Sequence, residues 1–223
     1  MTEITEHLRD IVERVARAAR RASQPTNVTI VAVSKQKTSA EIAEAFRAGQ
    51  RDFGESYAQE AVSKIDALRD LDITWHFIGA LQANKTRLVA ENFQWVHTVD
   101  RARIAARLNE QRPRLAPPLN VLIQVNQAHE PQKKGAAESD VVPLARAILA
   151  LPRLRLRGLM TIPPASADTV TFFRELVALQ ARLRGEGFPL DTLSMGMSAD
   201  FEEAIAAGAN CVRIGTAIFG PRA

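Results

Sequence analysis

The feature that most constrains this chain is a rhythm. From about residue 28 to the C-terminus, short β-branched or apolar runs alternate with segments rich in Lys, Arg, Glu and Ala. The runs number eight, at residues 28–34, 52–55, 74–79, 95–99, 121–126, 156–162, 193–197 and 212–219. Near-continuous apolar strands are what a parallel sheet covered on both faces requires, because neither face meets water. Eight strand–helix units in series close into a ring. The expected fold class is therefore α/β, a single TIM-type (β/α)8 barrel. An open doubly wound sheet is the alternative, but no Gly-x-Gly-x-x-Gly turn follows the first strand.

The two ends of the chain complete that reading. Only residues 220–223 follow the last expected strand, so the eighth outer helix is missing from its usual place. Residues 2–22 carry Ile4, Leu8, Ile11, Val12 and Val15 at helical spacing among charged residues, which predicts an extra amphipathic N-terminal helix able to supply the cover. That segment is neither a signal peptide nor a membrane span, and no uninterrupted apolar run occurs elsewhere, so a cytoplasmic protein with no membrane partner is expected. Nothing Pro/Gly/Ser-rich divides the 223 residues, so they are read as one domain, residues 1–223.

A net charge of +4 and a pI near 9.6 raise the question of an anionic partner. The arginines are scattered among Glu and Asp on helical segments, and no basic patch is interleaved with aromatics, so nucleic acid is not expected. Cys211 is the sole cysteine and lies in an apolar strand, where it reads as a buried, inert thiol. Scattered histidines give no metal site; His76 reads as a core histidine, with a place lining the face of a bound ligand as the alternative, and His97 with Asp100 as a structural pair. No exposed apolar stripe stands out, so a monomer is expected.

In such barrels chemistry gathers at strand C-termini. Lys35 directly follows the run Val-Thr-Ile-Val-Ala-Val-Ser. An amine held against the barrel mouth is partly desolvated, which favours the neutral form that attacks an aldehyde; a lysine snorkelling at a strand end is the equal alternative. Lys37, two residues on, precedes the capping box Thr38-Ser-Ala-Glu41 and is expected in water. Late in the chain, Ser-Met-Gly-Met-Ser198 and Arg213-Ile-Gly215-Thr216 form the pair of loops where barrels often bind phosphate. Gly215 permits close backbone approach, Thr216 offers a hydroxyl and an N–H, and Ser198 is expected to cap a helix beginning at Ala199. Against this, Asp200, Glu202 and Glu203 already complement that helix start. Arg213 inside an apolar strand needs an acceptor, either a ligand atom or an ion pair with Glu55 or Asp100.

Taken together, Val-Ala-Val-Ser-Lys35, Asp-Phe-Gly-Glu55, Trp75-His-Phe-Ile-Gly-Ala-Leu-Gln-Ala-Asn-Lys85, His97-Thr-Val-Asp100, Gly158-Leu-Met, Leu-Ser-Met-Gly-Met-Ser198 and Val-Arg213-Ile-Gly-Thr-Ala-Ile-Phe-Gly220 closely resemble the pyridoxal phosphate homeostasis proteins, the YggS/PROSC family. The resemblance covers nearly the whole chain in order. It implies a barrel like the N-terminal domain of alanine racemase, with pyridoxal 5'-phosphate as a Schiff base on Lys35. It also implies phosphate contacts from Met197, Ser198, Gly215 and Thr216, and Arg213 facing the pyridine nitrogen. The family's Gly-Glu-Asn reads Gly54-Glu55-Ser56 here, which removes an amide, its Leu-Gln-Ser-Asn-Lys reads Leu81-Gln-Ala-Asn-Lys85, and residues 129–135 follow it loosely.

The resulting expectation is a carrier or regulator of the cofactor in vitamin B6 and amino-acid balance, with no catalytic residue and with apo-enzymes as recipients. An amino-acid racemase or decarboxylase is the first alternative. A two-base racemase needs an acid/base on each face, and the sole tyrosine, Tyr57, is not an evident second one. A cofactor-free, aldolase-like barrel that binds a phosphorylated sugar is the second alternative, and it predicts no chromophore.

Overall fold

The computed structural model describes residues 2–22, 28–128, 134–164 and 168–221. After the N-terminal helix α1 (Glu3–Arg21), strands and helices alternate: β1 (Thr29–Val33), α2 (Ser39–Arg47), β2 (Asp52–Glu55), α3 (Ala58–Ala67), β3 (Thr74–Phe77), α4 (Thr86–Asn92), β4 (Trp95–Val99) and α5 (Ala102–Gln111). They continue as β5 (Leu119–Gln124), α6 (Glu138–Leu149), β6 (Leu154–Met160), α7 (Thr169–Gly185), β7 (Thr192–Ser194), α8 (Phe201–Ala207), β8 (Cys211–Ile214) and α9 (Thr216–Phe219). The eight strands pair in sequence order and close on themselves, all parallel.

Each strand divides its residues between two environments because successive side chains point to opposite faces. Ala32, Phe53, Phe77, Val96, Ile123, Leu159 and Ile214 are buried in one continuous apolar core with residues such as Ile42, Val89, Ile104 and Leu176 from the helices outside. The alternate positions face the lumen, and there the register sets Val31 beside Arg213, Gly54 beside His76, and Met160 beside Ser194. The lumen is thus partly polar, whereas barrel interiors are usually filled by bulky branched side chains.

The final segment differs from the sequence reading. Residues 216–219 form a short helix, not the end of a strand. Past Ile214 the strand has reached the barrel rim; Ile218 and Phe219 become buried by coiling back beneath α1. His7 Nδ1 lies 3.2 Å from the Ile218 carbonyl oxygen, and Arg14 reaches across to Glu202 at 3.0 Å. The N-terminal helix does cover the gap left by an eighth full-length helix, burying Leu8, Ile11 and Val15, each worth about 1.5–3 kcal/mol.

Ser198 also differs. Helix α8 starts at Phe201 with Asp200 at its N-cap, so Ser198 lies three residues before the helix and caps nothing there. Among the described residues, no helix is long and apolar enough to cross a membrane.

Candidate functional site

Lys35 follows β1 in a turn whose backbone is held on both sides. On one side Ser34 is fully buried; its amide donates to Gly54 O at 2.9 Å and its hydroxyl to Glu55 Oε1 at 2.7 Å. Its carbonyl oxygen accepts from Lys64 Nζ at 2.8 Å and from the Lys37 amide at 3.0 Å. On the other side, Gln36 takes the left-handed conformation, φ 62°, and its amide donates to Glu60 Oε1 at 2.7 Å. Lys64 joins the two supports, donating to Glu55 at 2.9 Å and to Glu60 at 2.5 Å. A non-glycine residue rarely adopts that conformation unless its surroundings hold it there. Burial raises the Glu55 carboxyl above its ordinary range despite the Lys64 and Ser34 hydrogen bonds, and its Oε2 is buried without a hydrogen-bond partner among the described residues.

Arg213 lies on the neighbouring strand and faces the same lumen. It is almost fully buried, and neither Glu55 nor Asp100 is its partner. Its guanidinium donates to the Ser194 hydroxyl at 2.7 Å and to the Thr161 carbonyl oxygen at 2.9 Å. Glu55 points instead outward to α3, which is why it cannot reach the lumen, and Asp100 pairs with Arg101 at 3.0 Å. His97 is likewise not paired with Asp100: its Nδ1 lies 2.9 Å from Ser194 Oγ and its Nε2 3.0 Å from His76 Nδ1. His76 is a core histidine, with Nε2 2.9 Å from Asp52 Oδ1.

The two late loops meet as the sequence suggested. Ser198 Oγ accepts from the Gly215 amide at 3.3 Å and the Ala217 amide at 3.4 Å, joining the segment after β7 to the start of α9. A Cβ on Gly215 would come 3.4 Å from the Val33 Cβ, so the loop packs closely on the strand that carries Lys35. Thr216 is exposed at the start of α9. Met197 is also exposed, but its amide already donates to Asp200 Oδ1 at 2.6 Å.

Beside this cluster, at the C-terminal ends of the middle strands, lies a cavity of about 260 Å3 lined by Thr98, Gln124, Asn126, Lys134, Thr161 and Phe172. Thr161 belongs to its wall and accepts from Arg213, so cavity and guanidinium adjoin. Residues 129–133 of the loop singled out in the sequence lie outside the described residues.

Several features escaped the sequence. Lys37 is not in water: its ammonium donates to Phe219 O at 2.9 Å and lies 3.4 Å from Glu41, because α9 folds back over the turn. Lys64 and Glu60 carried only the i,i+4 signal of an ordinary surface pair. Asp52 carried no signal beyond being polar at a strand start. Cys211 is buried as expected, and burial pushes its thiol up to about 11.

Residues 7–223 match the family model of the alanine racemase N-terminal domain. Over its full length the chain is 51% identical to the pyridoxal phosphate homeostasis protein of Escherichia coli strain K12, covering 98% of that protein. It is 51% identical to the protein of the same name from Pseudomonas aeruginosa, covering 97% of it. The solved structure of PipY from Synechococcus elongatus with PLP bound superposes with a TM-score of 0.83 at 38% identity, over 94% of this chain and 100% of that one. An alanine racemase from Corynebacterium glutamicum shares the fold, with a TM-score of 0.64 at 20% identity, over 93% of this chain and 60% of the racemase.

Proposed function

The chain belongs to the pyridoxal phosphate homeostasis protein family, which carries the alanine racemase N-terminal domain, and from that premise we propose that it binds pyridoxal 5'-phosphate through Lys35 and carries or regulates it without turning over a substrate. When bound, the cofactor supplies an aldehyde that amines attack and a ring that can draw electrons.

The observation that carries this reading is Arg213. Its guanidinium is buried on the strand beside Lys35, and its bonds run to a hydroxyl and a carbonyl, neither of them anionic. A guanidinium donates and does not give up its proton. A pyridine nitrogen facing Arg213 therefore accepts a hydrogen bond and stays unprotonated, which leaves the ring a weak electron sink. That chemistry suits holding the cofactor better than driving reactions on it. The Tyr57 ring is exposed before α3, which argues against it as a second acid/base.

The remaining contacts follow from the same arrangement. Gly215 and Thr216 bring backbone N–H groups and a hydroxyl to the phosphate, with Ser198 beside them. Met197 joins them by exchanging its Asp200 carboxylate for the phosphate. Residues 1–223 form, in this proposal, one cofactor-binding unit that works as a cytoplasmic monomer and passes its cofactor to apo-enzymes.

The test incubates the cofactor-loaded protein with each common L- and D-amino acid, and separately with an apo-enzyme that needs the cofactor. Transfer faster than free release, without racemisation, decarboxylation or transamination beyond free cofactor, is the expected result. Sustained turnover that disappears in Lys35→Ala would favour an amino-acid racemase or decarboxylase instead.

A further inference from the structure

Five side chains on five strands form one unbroken chain of hydrogen bonds through the barrel lumen. Arg213 of β8 meets Ser194 of β7 at 2.7 Å, Ser194 meets His97 of β4 at 2.9 Å, His97 meets His76 of β3 at 3.0 Å, and His76 meets Asp52 of β2 at 2.9 Å. Strands β4 and β7 are not neighbours in the sheet, so the His97–Ser194 contact crosses the interior. The chain starts at the mouth, beside the proposed cofactor site. It ends at the opposite end of the barrel, where half-buried Asp52 borders a cavity of about 300 Å3 together with His76, Trp95, Arg157 and Asp191.

The chemistry of the two ends fixes the direction of every bond between them. A guanidinium can only donate, and an ionised carboxylate can only accept. Arg213 donates to Ser194 Oγ; Ser194 then gives its own hydrogen to His97 Nδ1. His97 donates from Nε2 to His76 Nδ1, and His76 donates from Nε2 to Asp52. One polarity therefore satisfies all five groups with both imidazoles neutral. Reversing it sets the His76 Nε2 lone pair against the Asp52 carboxylate, which is repulsive unless an extra proton is taken up.

The surroundings favour neutral rings. Burial lowers the His76 pKa against the pull of Asp52. Burial, then His76, then Arg213 hold His97 well below its usual value. Trp95 stacks on His76 with ring centres 5.5 Å apart, and the Arg157 guanidinium over Trp95 is neutralised by Asp191 at 2.8 Å. The Asp200 carboxylate acts on the buried Arg213 charge through space, whereas Asp52 is linked to it through three intervening side chains.

We propose that Ser194, His97, His76 and Asp52 are positioning residues, a directional relay that aims the Arg213 guanidinium at the cofactor ring nitrogen and holds both histidines as their Nε2–H tautomers. This rests on the reading in which Arg213 faces the ring. It adds that the electronic environment of the ring is set from the far end of the barrel.

Two measurements test it. Nitrogen-15 NMR of the apoprotein at neutral pH is expected to give the Nε2–H pattern for both His76 and His97. In Asp52→Asn, whose amide can donate as well as accept, a second population with Nδ1–H is expected, as occurs when the orienting carboxylate of a catalytic triad becomes an amide. Wild-type rings that are protonated or Nδ1–H would overturn the relay whatever binds at the mouth. In the cofactor-loaded protein, Asp52→Asn and Ser194→Ala are expected to shift the absorption maximum and to speed cofactor release about tenfold, the scale of one hydrogen bond to a charged group. Ser194→Thr, which keeps the hydroxyl, is expected to restore both. Expected tautomers with an unmoved spectrum and release rate would overturn the link to the ring. A wild-type protein that takes up no cofactor would sink the functional reading, and the proposal with it, and is distinguished by that lack of uptake.

Discussion

The Lys64 ammonium donates to the Ser34 carbonyl oxygen at 2.8 Å, one residue before Lys35. The same ammonium pairs with both Glu55 and Glu60, and Glu60 in turn holds the amide of Gln36, one residue after Lys35. A single helix, α3, therefore grips the turn that carries Lys35 from both sides.

Lys64→Met should destabilise the fold by about 3–5 kcal/mol, because it leaves the fully buried Glu55 without its cation. The pH dependence has a definite sign. The folded-state pKa of Glu55 is already raised by burial, and the substitution removes two influences that lower it. A carboxyl raised on folding contributes stability that is full below its unfolded pKa, near 4.5, and is lost as pH rises through the folded value. Denaturant unfolding across pH 4–8 should show the variant losing more stability than wild type as pH rises. A flat difference would mean that Glu55 is compensated elsewhere.

Lys35→Ala should abolish the visible band of the lysine-bound cofactor while lowering stability little, since the side chain sits at the rim and is only partly buried. Absorption and circular dichroism of the same sample separate the two effects.

Arg213→Ala should weaken cofactor retention by about 10- to 100-fold, the scale of losing a charged hydrogen bond of about 1.5–3 kcal/mol, and should shift the absorption maximum. An unchanged dissociation constant and spectrum would make Arg213 a structural residue that only ties β8 to Ser194 and Thr161.

Asp200→Asn should tighten binding several-fold. The carboxylate holds the Met197 amide at 2.6 Å and repels an incoming phosphate; the amide removes the charge and weakens the hold. Titration with pyridoxal phosphate and with phosphate-free pyridoxal checks this, because only the phosphorylated ligand should gain.

The barrel was legible in the sequence because parallel strands buried on both faces leave long apolar runs, and the place of Lys35 just past the first strand was legible because a lysine ends that apolar run. The coil at residues 216–219 was not, since Ala217, Ile218 and Phe219 satisfy strand and buried helix equally. The lumen relay was also hidden: Asp52, His76, His97, Ser194 and Arg213 lie far apart in sequence, and only closure of the ring brings β4 against β7. Lys37 misled because the local capping box, which the structure retains, says nothing of the C-terminal helix that folds over it.

Lys35 is proposed as the residue that bonds to the cofactor. Borohydride reduction of the protein saturated with pyridoxal phosphate, followed by peptide mapping, tests it most directly. The reduced adduct is expected on the peptide containing Lys35, and on Lys35 rather than Lys37 within it. Recovery chiefly on Lys37 or Lys85 would contradict it.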